Sequence, residues 1–338
     1  MNNLVIVTGE KMEFIYQENN RMVLEAAGRE TANTGNAYSL SIEEAKQCNK
    51  LVTTILENPS NCQALVDQQS LKFRICILNQ LASLLDPRID TLNPQMALIS
   101  EGSYQLGLSI ENLDLEMLEM GKIGIGKSWI EKETPRYVSN LQKFAMGKYP
   151  VTNIEYLAFL KENPEKEIPS SWLNGTFPQT RGNHPVHSIN KTTAIEYCDW
   201  LSKKTGRKFS LPSEEQWEVA TGNNDYKQFI WGDKFNKEYC NSLELGLINT
   251  TPVGCFTESR SSYGIYDLAG NVEEWTSALY EPYPGGEFIE DGFSQADPQH
   301  PITRGGGFNG NFDLTRCTRR HSLGSITPLG FRLCELFD

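Results

Sequence analysis

Three strings in the last quarter of the chain decide its fold. They read Gly264-Ile-Tyr-Asp-Leu-Ala-Gly-Asn-Val-Glu-Glu-Trp-Thr-Ser277, Arg304-Gly-Gly-Gly-Phe308 and Leu329-Gly-Phe-Arg-Leu333. The region around and before them mixes short strand-like segments and two or three amphipathic helices with long connections rich in Gly, Asn and Pro. Helical periodicity is scarce after residue 218. This pattern predicts an α+β domain with little regular secondary structure.

The three strings, in this order, resemble the formylglycine-generating enzyme (sulfatase-modifying factor) family. Five further matches to the family's segments occur upstream and in the same order: Phe144–Tyr156, His184–His187, Leu211–Glu218, Trp231-Gly232 and Thr251–Gly254. The resemblance covers about residues 117–335. It implies the C-type-lectin-like variant fold of that family for residues 116–338, preceded by a small, mixed and mainly helical N-terminal domain.

Composition places the domain boundary near residue 115, because all six tryptophans and all four histidines lie after it. The predicted N-terminal unit, 1–115, has strand-like segments at 4–8, 12–16 and 21–26. A capping box at Ser41-Ile-Glu-Glu44 then predicts a helix ending near Asn58, and a second helix is predicted over 62–85. This unit resembles no family, and we expect it to mediate oligomerisation or signalling.

The bulk properties exclude several classes of protein. With 338 residues and a net charge of -12, neither half has the basic surface that nucleic acid requires. No apolar run is long enough to cross a membrane, and no signal peptide is evident. Eight cysteines without a CxxC pair are typical of reduced thiols rather than a zinc site or a disulfide framework. We therefore expect a cytoplasmic protein.

The segment 121–128, Gly-Lys-Ile-Gly-Ile-Gly-Lys-Ser, satisfies the phosphate-binding loop pattern GxxxxGK[ST]. That chemistry needs a strand before the loop and a helix of useful length after it. A proline at 135 and the alternation before the segment favour a glycine-containing β-strand instead.

The resemblance also identifies what the chain lacks. Enzymes of the family place two cysteines, which bind copper(I), between the Gly-Gly string and a later Arg-Cys pair. Here this interval is shorter, and Gly310 and Thr315 lie near the two cysteine positions. Cys317 and Cys198 match structural cysteine positions and are expected to be buried. We expect no copper. A related branch, the sulfoxide synthases, uses N-terminal histidines as iron ligands, and the N-terminal unit of this chain contains no histidine.

The family's calcium site falls on four positions in the first string: Asp267, Gly270, Val272 and Glu274. Two carboxylates and two carbonyl oxygens on a turn suit a hard cation. The alternative is a capped turn with solvated acids. A second family site would begin at Asn241 and Ser242, where the chain is too short to complete it.

The segment 308–325 carries the side chains expected to contact a ligand, together with Trp275 at its border. Arginines suit carboxylates, aromatic rings supply area, and amides supply adaptable hydrogen bonds. The predicted ligand-binding residues are Trp275, Phe308, Asn309, Asn311, Phe312, Asp313, Thr315, Arg319, Arg320 and His321. Arg319, Arg320, His321 and the 309–313 loop are expected to face outward, whereas Arg304, Arg316 and Arg332 are expected to bind acids or carbonyls inside the fold.

Three functional hypotheses remain open. The preferred one is a non-catalytic protein that binds a protein or peptide ligand. Chains of this fold that end in Leu-Gly-Phe-Arg-Leu include the variable proteins of diversity-generating retroelements, so such a protein is one form of this hypothesis. The alternatives are an oxygen-dependent metallo-oxidase or maturation factor with a rearranged site, and a scaffold domain.

Overall fold

The structure is a computed structural model, and it describes residues 40–222, 226–322 and 328–337. The strand-like segments predicted at 4–8, 12–16 and 21–26 lie outside the described residues. Within the described ranges, no helix is long and apolar enough to cross a membrane.

The described residues begin with three helices, α1 (Ile42–Glu57), α2 (Cys62–Asp67) and α3 (Leu71–Ser83). The predicted capping box is confirmed, since the Glu44 amide donates to the Ser41 hydroxyl and the Glu44 carboxylate accepts from the Ser41 amide. The predicted helix over 62–85 is in fact two helices, α2 and α3, separated at 68–70.

These helices do not stop at a boundary near residue 115. Their buried side chains pack against Leu247, Cys255 and Phe256 of the later part. Strand β1 (Met96–Ile99) pairs along its whole length with β4 (Phe144–Gly147). Residue 115 itself lies inside helix α4 (Ile110–Met120). This packing and this pairing join residues on both sides of position 115, and the domain boundary there stays a prediction.

The other α-helices and strands of the described residues follow along the chain. They are β2 (Gly102–Leu106), α5 (Lys127–Glu131), β3 (Tyr137–Leu141), α6 (Asn153–Glu162), α7 (Lys191–Thr205), β5 (Lys208–Ser210), α8 (Glu214–Ala220), β6 (Glu273–Leu279), α9 (Gly292–Ala296) and β7 (Pro301–Arg304), and two short strands, β8 (Leu329–Gly330) and β9 (Cys334–Leu336), end the fold.

The strands form three small sheets. An antiparallel sheet has the order β1-β4-β9-β5, and β2 pairs with β3 in a two-stranded ribbon. In the third sheet, with the order β7-β6-β8, β6 pairs antiparallel with β7 and parallel with β8. This third sheet brings the three C-terminal sequence strings together, since Glu274 lies opposite both Arg304 and Gly330.

Aromatic rings between α6 and α7 form the largest apolar core. Tyr156 lies 6.2 Å from Tyr197 between ring centroids, Phe159 lies 5.7 Å from Trp200, and Tyr197 contacts Phe331 at 5.3 Å. Full burial of each such ring contributes about 1.5–3 kcal/mol. With so few regular elements, this cluster supplies much of the apolar burial of the domain.

Buried arginines join the segments that the sheets do not. Arg332 forms a bidentate pair with Glu274, at 2.6 and 2.7 Å. Arg316 donates to both oxygens of Glu133, and Arg304 bonds Glu218. The expectation that these three arginines bind acids inside the fold is confirmed.

The segment 121–128 is not the glycine-containing strand that we expected. Gly121–Ile123 is a single 3₁₀ turn, and Lys127–Glu131 forms the short helix α5. Lys127 pairs with Glu131 on the same helix, at 3.0 Å. The four-residue spacing of this ion pair supports a helical turn, which the alternation of glycines did not reveal.

Candidate functional site

The interval where the family's cysteine pair would stand contains no two-thiol arrangement. A Cβ atom added to Gly310 would lie 2.9 Å from Leu314 Cδ1, and the Thr315 hydroxyl donates to the Phe312 carbonyl. Cys317 is buried, and burial raises the pKa of its thiol to about 12. A thiol held protonated in this way is a poor nucleophile and a poor metal ligand.

The two carboxylates at the predicted calcium positions accept hydrogen bonds from other groups of the protein. Both oxygens of Glu274 accept hydrogen bonds from Arg332, and Oε2 also accepts one from Trp217 Nε1 at 2.7 Å. Asp267 Oδ2 accepts from the Gly254 amide at 2.6 Å. Burial raises the pKa of Asp267 to about 6.

A carboxylate shared with a guanidinium and an indole has little capacity left for a cation. The donor set therefore gives no support to a calcium ion at Asp267, Gly270, Val272 and Glu274, and the site stays a prediction.

The predicted ligand-binding residues divide into an outer and an inner group. Asn309 and Asn311 are exposed, and Phe308 and Phe312 are half-buried. Asp313, Thr315, Arg319 and Arg320 are buried, as is Trp275, whose indole donates to the Ile189 carbonyl. The expectation that Arg319, Arg320 and Asp313 face outward is therefore wrong.

Buried ion pairs explain the inward direction of these charges. Arg319 Nε donates to Asp313 Oδ2 at 2.7 Å. Arg320 donates from Nε and Nη2 to the two carboxylate oxygens of Glu214, at the start of α8, at 2.8 and 2.9 Å. Charged side chains are buried only when such partners replace water. Asp313 belongs to the same segment as Arg319, whereas Glu214 is distant from Arg320 in the sequence, so the segment alone gave no signal that Arg320 is buried.

Phe312 belongs to an aromatic group that sequence reasoning missed. Its ring stacks on Phe235 at 4.6 Å between centroids and lies 6.3 Å from Phe229. Phe229 in turn stacks on Trp231 at 5.1 Å, and Trp231 contacts Tyr239 edge-on at 5.8 Å. All but Phe229 are partly exposed. We call Phe229, Trp231, Phe235, Tyr239 and Phe312 the aromatic surface.

A pocket lies beside the C-terminal end of the same segment. Its charged and polar lining consists of Lys132, Asp291, His300, Arg319, Arg320, His321 and Ser322, and its apolar lining of Trp129, Phe293 and Ile302. We call it the cationic pocket. Trp129 and Phe312 pack against the same small apolar core, which places the cationic pocket and the aromatic surface on neighbouring parts of the domain.

His321 is the one predicted ligand-binding residue in the cationic pocket that keeps some exposure, with its side chain 12% exposed. Its Nδ1 lies 2.7 Å from Glu273 Oε1, and that carboxylate also accepts from the Thr303 hydroxyl. Burial alone would raise the pKa of Glu273, but His321 and these hydrogen bonds outweigh burial and lower it. The carboxylate thus fixes the orientation of the imidazole.

His300 is held in a similar way on the other side of the cationic pocket. Its Nδ1 lies 2.9 Å from the Asp297 carbonyl, and its ring stacks on Tyr280 at 4.9 Å. Burial lowers the pKa of His300, which favours the neutral ring. The ring of Phe293 contacts both imidazoles, with its centroid 6.0 Å from that of His300 and 5.9 Å from that of His321.

A family model described as "Sulfatase-modifying factor enzyme 1-like domain" matches residues 82–335. The chain belongs to this family. The match begins at residue 82 rather than at 116, which agrees with the pairing of β1 and β4.

The curated relatives include proteins named as an oxygenase, a formylglycine-generating enzyme and a protein kinase. Hercynine oxygenase of Mycolicibacterium smegmatis is 25% identical over 185 residues, covering 46% of this chain and 42% of the relative. Formylglycine-generating enzyme of Mus musculus is 29% identical over 175 residues, covering 45% and 44%. Serine/threonine-protein kinase Pkn1 of Chlamydia trachomatis is 29% identical over 228 residues, covering 60% and 35%. The chain thus spans less than half the length of these relatives.

Two solved structures share the fold. PvdO from Pseudomonas aeruginosa aligns with a TM-score of 0.53 at 20% identity, covering 72% of this chain and 95% of PvdO. Treponema denticola variable protein 1 aligns with a TM-score of 0.52 at 21% identity, covering 71% and 94%. At such identities these likenesses show the fold alone. The expected α+β, C-type-lectin-like fold is confirmed.

Proposed function

We propose that this protein is a non-catalytic recognition protein that binds a protein or peptide ligand through the aromatic surface and the adjacent exposed amides. The observation that carries the proposal is the cluster of partly exposed rings around Phe312, flanked by Asn309 and Asn311. Aromatic side chains that pack on one another supply large contact area at low entropic cost, and they dominate binding energy in protein interfaces.

The local chemistry supports recognition rather than thiol-based oxidation. The family's two cysteine positions hold a glycine and a threonine, and burial keeps Cys317 nearby protonated. Eight unpaired, buried cysteines also support a reducing, cytoplasmic location.

The division between outer and inner residues suits a variable ligand site. Changes at Asn309, Asn311 and Phe312 alter what the surface presents, whereas Asp313 and Arg316 hold the segment through buried ion pairs. A member of the variable-protein class would therefore vary the first group and retain the second.

The experiment is a peptide selection against the full chain, followed by calorimetry of a selected peptide. Trp231→Ala should weaken binding by about tenfold or more, the ~1.4 kcal/mol or larger loss typical of an aromatic interface residue. Phe288→Ala is the matched control, since Phe288 is an exposed aromatic that lies outside the aromatic surface. Equal affinities for both variants would refute the proposal.

The enzyme alternative rests on one observation, the His321 imidazole held by Glu273 inside the cationic pocket. An imidazole oriented by a carboxylate is the arrangement of many general bases. An oxygen-dependent oxidase or maturation factor with a rearranged site predicts stoichiometric copper or iron in the purified protein. Elemental analysis of the full chain, purified without added metal or chelator, separates this alternative from the binding proposal.

A further inference from the structure

Helix α4 presents two leucines that no other side chain of the described residues covers well. Its inner side packs on a small apolar core through Leu113, Met117 and Met120. On its outer side, Leu115 is 58% exposed and Leu118 is 62% exposed. A single exposed leucine is common on protein surfaces, but residues three apart on a helix are neighbours, so these two form one apolar strip.

The strip and its flanking acids have the spacing of a coiled-coil seam. Leu115 and Leu118 are three residues apart, like positions a and d of a heptad, and Asp114 and Glu119 then occupy the flanking positions g and e. Glu111 lies in line with the leucines, one turn earlier. The outer side of α4 therefore has the pattern against which a second helix packs. We call Glu111, Asp114, Leu115, Leu118 and Glu119 the α4 face.

The charges of the α4 face indicate the chemistry of its partner. In the part of the chain that the structure describes, Glu111 and Asp114 form no ion pair. Glu119 pairs with Lys122 at 2.8 Å, and both of these side chains are exposed, so the pair contributes little and can rearrange. The face thus has three carboxylates with one lysine beside it. A helix with Lys or Arg at its own e and g positions is complementary to this arrangement.

The same charges argue against two other occupants. If two copies of α4 paired in either orientation, the carboxylates at e and g would face carboxylates, and like charges repel. Residues 1–39 of this chain contain three Lys and Arg against five Glu, so this segment is acidic on balance. A separate, cationic partner fits the α4 face better than either.

We propose that the α4 face is a docking site for a basic amphipathic helix of a partner protein. The aliphatic side chains of that helix cover Leu115 and Leu118, and its lysines or arginines pair with Glu111, Asp114 and Glu119. The α4 face shares no residue with the aromatic surface, and the proposal does not depend on the recognition function proposed above. A contact with one helix of 11 residues belongs to the small, reversible class of interfaces.

The test combines the full chain with a designed peptide of about three heptads that has Leu at a and d and Lys at e and g. A matched peptide with Glu at e and g is the control for charge. We expect calorimetry to show saturable binding of the Lys peptide and none of the Glu peptide. The affinity should fall as sodium chloride is added, because exposed charges are screened by salt. Failure of the Lys peptide to bind, or equal binding of both peptides, would overturn the proposal.

Two leucine variants separate the α4 face from the overall charge of the chain. Leu118→Gln should weaken binding of the Lys peptide by about tenfold, because it removes apolar area from the interface. Leu173→Gln is the matched control, since Leu173 is 78% exposed and lies outside α4, and it should bind like the wild type. Equal affinities of the two variants would mean that the net charge of -12 holds the peptide, which would overturn the proposal.

The other occupants give different results. Sedimentation of the full chain would show a dimer that Leu118→Gln dissociates if a second copy covers the α4 face. Competition between the Lys peptide and a synthetic peptide of residues 1–39 would assign the face to the chain's own N-terminal segment. Either result would overturn the proposal. If a variant fails to fold, the comparison of the Lys and Glu peptides on the wild type still decides the question.

Discussion

Asp313 is the carboxylate on which the geometry of the candidate site depends. It is 0% exposed, and it accepts hydrogen bonds from Arg316 at 2.9 and 3.0 Å and from Arg319 at 2.7 Å. Asp313→Asn keeps the side-chain volume and removes the charge, so Arg319 keeps its buried charge without a carboxylate partner. Breaking a buried ion pair in this way costs about 3–5 kcal/mol.

Urea denaturation of the full chain measures this cost. The matched control is Asp114→Asn, the same substitution at an exposed position of α4, which should change the free energy of unfolding by less than about 0.5 kcal/mol. A loss below about 1 kcal/mol for Asp313→Asn would refute the reasoning, since the two arginines would then be compensated by other groups.

The pH dependence of the free energy of unfolding tests the same carboxylate without relying on the stability lost by one variant at one pH. Burial alone raises the pKa of Asp313, but Arg319 and Arg316 outweigh burial and hold it below its ordinary value. A carboxyl with a lowered folded-state pKa contributes stability above its unfolded pKa, ~3.9, and that stability is lost as the pH falls toward the folded value. Asp313→Asn should therefore lose less stability between neutral pH and pH ~3 than the wild type does.

Two further predictions concern the loop that contains Asp267. Gly270→Ala should destabilise far more than Gly264→Ala, although both glycines have φ near +78°: an added Cβ at Gly270 would lie 2.5 Å from the Asn241 carbonyl oxygen, whereas Gly264 has nothing within 4 Å. Backbone strain of about 1–2 kcal/mol is common to both, so equal melting temperatures would show that the loop moves aside. A calcium ion bound at the site predicted from the sequence would raise the melting temperature when millimolar calcium is added, and Asp267→Asn would abolish that increase. Because Arg332 and Trp217 occupy Glu274, we expect no increase, and a calcium-dependent increase in the wild type alone would contradict that expectation.

Local chemistry explains which parts of the fold could be predicted from the sequence. The capping boxes at Thr152 and Ser213 each join residues three positions apart, and they lie at the starts of α6 and α8. Helix α7 likewise begins where Asn190 caps it by accepting from the Thr193 amide. Such signals are complete within one turn of helix, so no knowledge of the tertiary structure is needed to read them.

The candidate site was less predictable because its partners are remote. Arginine is usually exposed, and Arg320 is buried because it forms an ion pair with Glu214, which is distant in the sequence. Phe312 was predicted to contact a ligand together with other residues of segment 308–325, yet Phe229 and Phe235 from another segment make it part of a surface. No periodicity links residues near 230 to residues near 312, and the pairing of β1 with β4 is equally invisible to composition.

Residue identity and short spacing were enough to predict the family, the fold class, the capping box at the start of α1 and the absence of the family's cysteine pair. The burial of Arg319 and Arg320, the surface of five aromatic residues and the pocket lined by three cations depend on contacts that appear only in the folded chain. The physical reason is that a charge or a ring takes its role from whatever lies beside it. In this fold of short strands, those neighbours come from segments about 80 to 190 positions away.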